Sequence, residues 1–395
     1  MKVPLLDLQA QNGPLESELK DAFERVLKSG RYILGPEVES LEAKVATMAD
    51  AKHGIGVSSG TDALILALMA LEIGPGDEVI CPTFTFFATA GSISRLGATP
   101  VFVDSCPKCF NINVDSVARA ITSKTKAVIP VHLFGQSAEM DGIIELASNH
   151  GLKIIEDGAQ ALGAKYKGRP VGGIGDFGTF SFFPSKNLGG FGDGGMVVTS
   201  DDGLAERARI LRAHGSSPKY FHKYVGGNFR LDPLQAALLS VKLPHYDEYT
   251  KQRQANAEKY TSLFLEMDGF SRIDSCADCV ASAEGNKEGD RGDSGIVLPA
   301  TIAHCGHIWN QYTIQVKGGQ RDALREHLAS AGIGSEIYYP RTMDRQECFS
   351  SVDKRVGLPV AHKLSEEVLS LPIFPGLTSE QQETVVHEVS QFING

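Results

Sequence analysis

No run of lysine and arginine interrupts this chain, and its formal net charge is -10. It therefore has no general electrostatic attraction to nucleic acid or anionic lipid. Long apolar runs are missing too. The longest, Ala63 to Leu71, is far short of a membrane span, and the opening MKVPLLDLQAQ holds an apolar stretch too short for a secretory signal. These absences predict a cytoplasmic protein with neither a nucleic-acid nor a membrane partner. Cysteine is scarce and odd in number, seven in 395 residues, so a disulfide framework is not expected. Two CxxC pairs, Cys106/Cys109 and Cys276/Cys279, have the internal spacing of zinc ligands. They lie far apart in the chain, and we read them as turns that carry thiols, with no metal. Nor does any segment recur at a fixed period.

At 42% hydrophobic and 22% charged residues, the chain has the composition of a globular protein of about two or three domains, with a small molecule as its ligand. Strand-like runs at 54–57, 78–82, 99–104, 126–133 and 152–157 alternate with helix-like runs such as TDALILALMALEI and EMDGIIELASNH. That alternation predicts an α/β domain with a largely parallel sheet covered by helices. Beyond about Leu243 the pattern changes to a long polar-faced helix. Then follows a Gly/Asp/Glu/Ser-rich stretch at 275–295, too polar for core and read as a mobile surface loop, and a smaller α+β region. The expected division is a large domain over 1–245 and a small one over 246–395.

Ligands of open parallel sheets bind beyond the carboxyl ends of the strands, so those ends hold the candidate residues. After the first, Ser58, Ser59, Gly60 and Thr61 open an apolar helix whose free N–H groups suit a phosphate; a cap by Ser59 or Thr61 is the plainer reading. The same residues spell GxSxG around Ser58, the mark of an acyl hydrolase, with Asp157 and His214 in order downstream. After the second, Phe86 could stack on a planar ring, although Phe84, Phe86 and Phe87 also suit a core. Asp157 closes the run KIIED, where a buried carboxylate needs a cation, with Gln160 three residues on; capping a helix is its alternative role. In SFFPSKNLGGFGDGG, Ser181 and Lys186 flank a proline turn among aromatics and glycines. A lysine desolvated there is pushed toward its neutral, nucleophilic amine. A phosphate nest, a stacking ring, a carboxylate and such an amine are what pyridoxal 5'-phosphate (PLP) requires.

The segments GVSSGTDAL, TFTFFATA, IIEDGAQALGA, SFFPSKNLGGFGDGG and GGNFRLDPLQAALLSVKLPH together resemble the DegT/StrS group of PLP-dependent sugar aminotransferases, of fold type I. The resemblance runs from about Leu5 to the C-terminal helix. It implies an aspartate-aminotransferase-like large domain that binds PLP, and a reaction in which glutamate donates an amino group to a nucleotide-linked keto sugar. Lys186 would form the Schiff base with the cofactor and move protons, and Asp157 would hold the pyridine nitrogen protonated. Gln160 would bond the ring hydroxyl and Phe86 stack on the ring. Gly60, Thr61 and Ser181 would bind the phosphate together with the partner subunit's Asn228, which makes the protein a homodimer with shared active sites. Tyr338, Tyr339 and Arg341, with Trp309, Asn310 and Tyr312, are the guesses for the substrate side; core and rim of the small domain is the competing reading. Gly158 and Gly227 stand where many relatives carry larger residues. A branch of the family that dehydrates sugars has histidine in place of the lysine, so Lys186 implies transamination. A non-catalytic sensor or scaffold on the same fold is the remaining alternative.

Overall fold

The computed structural model describes residues 1–272, 295–352 and 355–395. Seven strands form the main sheet: β1 (His53–Val57), β2 (Glu78–Pro82), β3 (Thr99–Val103), β4 (Thr125–Val128), β5 (Lys153–Asp157), β6 (Phe177–Ser181) and β7 (Gly195–Thr199). Their order is β1-β7-β6-β5-β4-β2-β3. From β3 through β6 every pairing is parallel, and β7 runs antiparallel to both β6 and β1. All strands except β7 therefore end on the same edge, where Val57, Asp157 and Ser181 lie, and β7 starts there at Gly195, opposite Ser181 in register.

The five strands expected from the sequence are present, with one trimmed. The run 126–133 is a continuous strand only to Val128, after which Val131 makes a single bridge to Asp157. Pro130 has no N–H to give, and the chain turns through Leu133–Gly135 with Phe134 at φ 58°. The helix Gly60–Ala70 is apolar on every side and accordingly lies between sheet and outer helices, with Leu66, Ala67 and Leu68 sealed from solvent. The long helix expected after Leu243 runs Tyr246–Leu265.

A second sheet of four strands, β8 (Phe270–Arg272), β9 (Ile296–Leu298), β10 (Tyr312–Val316) and β11 (Val368–Leu371), is built wholly from the later part of the chain. Its core includes Tyr260, Phe264, Ile314, Leu324, Leu369 and Val385, and reaches Phe84 and Leu133 at the rim of the main sheet. Arg253, almost fully enclosed, donates to the carbonyls of Trp309, Asn310 and Ile373 and so ties the long helix to both segments. Cys106 and Cys109 are buried beside Ile302, with Cys305 packed against them. Cys276 and Cys279, and the surface loop expected at 275–295 up to residue 294, fall outside the described residues.

Candidate active site

A cavity of about 550 Å³ opens at the carboxyl edge of the main sheet. Gly60, Thr61, Phe86, Asp157, Gln160, Ser181, Lys186, Tyr338 and Tyr339 all line it. Residues from four strand ends and from the small sheet's side are thus brought to one place.

At one end lies the start of the helix Gly60–Ala70. Ser59 caps it by accepting from the Asp62 N–H, as the plainer reading of this segment expected. The first intrahelical bond is made by the Ala63 N–H to the Ser59 carbonyl. The N–H groups of Gly60 and Thr61 come before it and are left to an anion. A side chain at Gly60 would not fit, because its Cβ would stand 2.8 Å from the Ser181 Cβ. That close approach sets the Ser181 hydroxyl beside the helix terminus.

Asp157 ends β5 at 4% exposure. Its Oδ2 accepts from the Thr89 hydroxyl at 2.8 Å and its Oδ1 from the Ala159 N–H at 3.2 Å. The segment after it is a turn, closed by the Ala161 N–H to the Gly158 carbonyl, so Asp157 caps no helix. Burial pushes its pKa up, against the Thr89 and Ala159 hydrogen bonds and the charge of Lys186. Behind it, Glu156 and His132 are both sealed. The Ala138 N–H donates to His132 Nδ1, so Nε2 carries the hydrogen and donates to Glu156 Oε2 at 2.9 Å. The Glu156 carboxylate also accepts the N–H groups of Gly172, Ile174 and Gly175, which pins that turn beneath the strand.

Lys186 is carried by the turn after β6, held by its N–H to the Phe183 carbonyl at 2.8 Å. Desolvation lowers its amine to about 8, and the Asp157 charge works in the opposite direction. Gln160 is oriented by its neighbours: Oε1 accepts the Phe134 N–H at 2.7 Å, and Nε2 donates to the Tyr339 hydroxyl at 3.1 Å. Its NH₂ group is thereby presented as a donor. Of the three phenylalanines after β2, only Phe84 is core; Phe87 stacks on Phe349, and Phe86, 57% exposed, stands at the cavity 6.1 Å from the Tyr339 ring.

The remaining expected residues are not brought to this cavity. Trp309 is buried, stacked on His307 at 3.8 Å, and Asn310 and Tyr312 are buried as well. Arg341 is exposed outside the lining. Asn228 is exposed, bridged to Ala213. Between the buried neighbours, Gln311 does line the cavity, and its buried Oε1 has no partner. Thr85, Phe183, Ser185 and Asp193 also line it without having been singled out in the sequence. Gly158 and Gly227 each face a phenylalanine, Phe180 and Phe229, at distances a Cβ could not share.

The hydrolase reading of Ser58 finds no support. Its hydroxyl donates to Asp62 Oδ2 at 2.6 Å, among the described residues neither Ser58 nor any histidine lines the cavity, and Ser58 is not among the residues of positive φ that a strained nucleophile turn would produce.

Residues 14–286 and 288–390 match the family model of the DegT/DnrJ/EryC1/StrS aminotransferases. A pleiotropic regulatory protein of Geobacillus stearothermophilus is 48% identical over 99% of each chain. A UDP-N-acetyl-3-dehydro-alpha-D-glucosamine 3-aminotransferase of Acidithiobacillus ferrooxidans is 43% identical over 100% of this chain and 98% of its own. Among solved structures, S. venezuelae DesV in complex with a ketimine intermediate is similar with a TM-score of 0.89 at 42% identity, covering 100% of this chain and 99% of the other.

Proposed function

The chain belongs to the DegT/DnrJ/EryC1/StrS aminotransferase family and is a PLP-dependent sugar aminotransferase, and we propose that it transfers an amino group from glutamate to a nucleotide-linked keto sugar. The observation that carries this reading is a desolvated amine, Lys186, sharing one cavity with an enclosed carboxylate, Asp157, that makes no ion pair among the described residues.

The residues present fit the cofactor. Asp157 has the charge to balance a protonated ring nitrogen, and without one its burial is costly. The N–H groups of Gly60 and Thr61 with the Ser181 hydroxyl would take the phosphate, Gln160 would donate to the ring oxygen, and Phe86 would cover a ring face. When bound, PLP supplies an electron sink and carries the amino group from donor to acceptor. Lys186, with an amine near neutrality, can take a proton from carbon and return it, the task of a general acid/base. Phe86, Phe183, Tyr338 and Tyr339 form an aromatic rim around that transfer.

Asn228 of the partner subunit completes the phosphate site in this reading, and the protein is a cytoplasmic homodimer. One chain alone leaves Tyr220, Phe221 and Val225 exposed beside Asn228, Val225 to 92%, an apolar surface that a second copy would cover. Among the described residues no helix is long and apolar enough to cross a membrane. We assign residues 1–245 to the PLP-binding domain and 246–395 to the small domain, with Tyr338 and Tyr339 on the substrate side. The product would serve the building of surface polysaccharides or glycosides. The 3-dehydro sugar named for the Acidithiobacillus relative makes a UDP-linked 3-keto sugar the first acceptor to try.

The test is to incubate PLP-loaded protein with glutamate and such sugars and to follow both products by mass spectrometry. Glutamate-dependent amination of the sugar is expected. Formation of 2-oxoglutarate without an aminated sugar would move the acceptor to another class, and formation of neither would overturn the reading.

A further inference from the structure

Asp157 is held by Thr89, a residue of the segment TFTFFATA to which the sequence assigned no role. Thr89 lies in the first turn of the helix Phe87–Arg95, fully enclosed, and its hydroxyl reaches Asp157 Oδ2 across 68 positions of sequence. A second contact joins Thr89 Oγ1 to Thr85 Oγ1 at 3.1 Å, and Thr85 lines the cavity. A hydroxyl has one hydrogen. With Asp157 ionised, Thr89 must donate to it, so Thr85 must donate to Thr89. The chain of hydrogen bonds therefore runs one way, from the cavity wall to the carboxylate, and bonds in such series polarise one another.

A threonine inside a helix ordinarily returns its hydroxyl to the carbonyl a turn earlier. Thr89 does not, and it does not cap its helix either; Phe86 holds that position with no side-chain cap. We propose that Thr89, polarised by Thr85, is a positioning residue that keeps Asp157 ionised and aimed at the pyridine nitrogen of the bound cofactor. The inference rests on the reading of Asp157 as that nitrogen's partner. Among the groups that pull the Asp157 pKa down against burial, the Thr89 hydroxyl stands first, ahead of the Ala159 N–H and Lys186.

The test compares the binding of PLP and of 1-deaza-PLP, in which carbon replaces the ring nitrogen, to protein stripped of cofactor. Both dissociation constants are measured by equilibrium dialysis for wild type, Thr89→Val, Thr89→Ser and Asp157→Asn. Thr89→Val should weaken PLP about tenfold, the size of a hydrogen bond to a charged group, and leave the deaza compound within about twofold. Thr89→Ser should restore PLP binding. Where the valine variant does not fold, Thr89→Ala carries the same comparison. Equal losses for both compounds would make Thr89 merely structural and overturn the proposal, as would undiminished PLP binding. If Asp157→Asn discriminates between the compounds and Thr89→Val does not, the positioning role fails alone. If Asp157→Asn does not discriminate, the assignment of Asp157 falls, and this inference with it.

Discussion

In the cofactor-free protein the Lys186 amine should titrate at about 8 instead of at its ordinary 10.5. Two opposed causes set that value: desolvation by the cavity walls disfavours the ammonium, and the Asp157 carboxylate favours it. At about pH 7.5 an amine with a pKa of about 8 is roughly one-quarter neutral, whereas an ordinary lysine is neutral in about one molecule in a thousand. The structure therefore supplies a roughly two-hundredfold gain in reactive amine before any cofactor is bound. The assay is stopped-flow capture of PLP by the stripped protein from about pH 6 to about pH 10, each rate divided by that of Nα-acetyl-lysine so that the ionisations of the aldehyde cancel. The ratio should be largest at low pH and fall as pH rises through about 8, where Lys186 is already neutral and the free lysine is still gaining. Asp157→Asn removes the charge that retains the proton and should move the midpoint down. A ratio that stays flat across the range would refute the reasoning, and so would a midpoint that moves up in the Asn variant.

Three further outcomes follow from the same geometry. Lys186→Ala should lower turnover by at least about 10²- to 10⁴-fold, the usual share of a positioned acid/base, with thermal melting little changed; undiminished turnover would end the mechanism. Gly60→Ala forces a Cβ to within 2.8 Å of the Ser181 Cβ, so PLP should bind at least about tenfold more weakly and urea unfolding should show a loss of about 1 to 3 kcal/mol. Glu156→Gln turns an NH₂ group toward donors that the carboxylate now accepts, three backbone N–H groups and His132, and should cost about 2 to 4 kcal/mol in urea denaturation.

What could be read in the sequence was the part in which chemistry and chain order coincide. Asp157 and Ser181 close strands and Gly60 and Lys186 follow shortly after one, and strand ends gather at one edge of a parallel sheet whatever the details of packing. The substrate side did not have that advantage. Asn310, Gln311 and Tyr312 are consecutive, and only the middle one lines the cavity, because which of them turns inward depends on how the small sheet docks. Trp309 looked like a binding aromatic, yet its indole is stacked on His307 in the core, with the backbone at φ 50°. Phe86 met the opposite outcome: its neighbour Phe84 is core as hydrophobicity suggests, while Phe86 itself is left at the cavity. Thr89 lies in the quoted segment TFTFFATA, but its role could not be read there, since its partner is 68 positions away and a threonine in a helix is unremarkable by composition.

The most direct measurement is borohydride reduction of the PLP-loaded protein followed by peptide mapping. The account predicts a phosphopyridoxyl group fixed on Lys186 and on no other lysine. A group fixed elsewhere, or none together with labelling of Ser58 by an acyl-directed inhibitor, would contradict it.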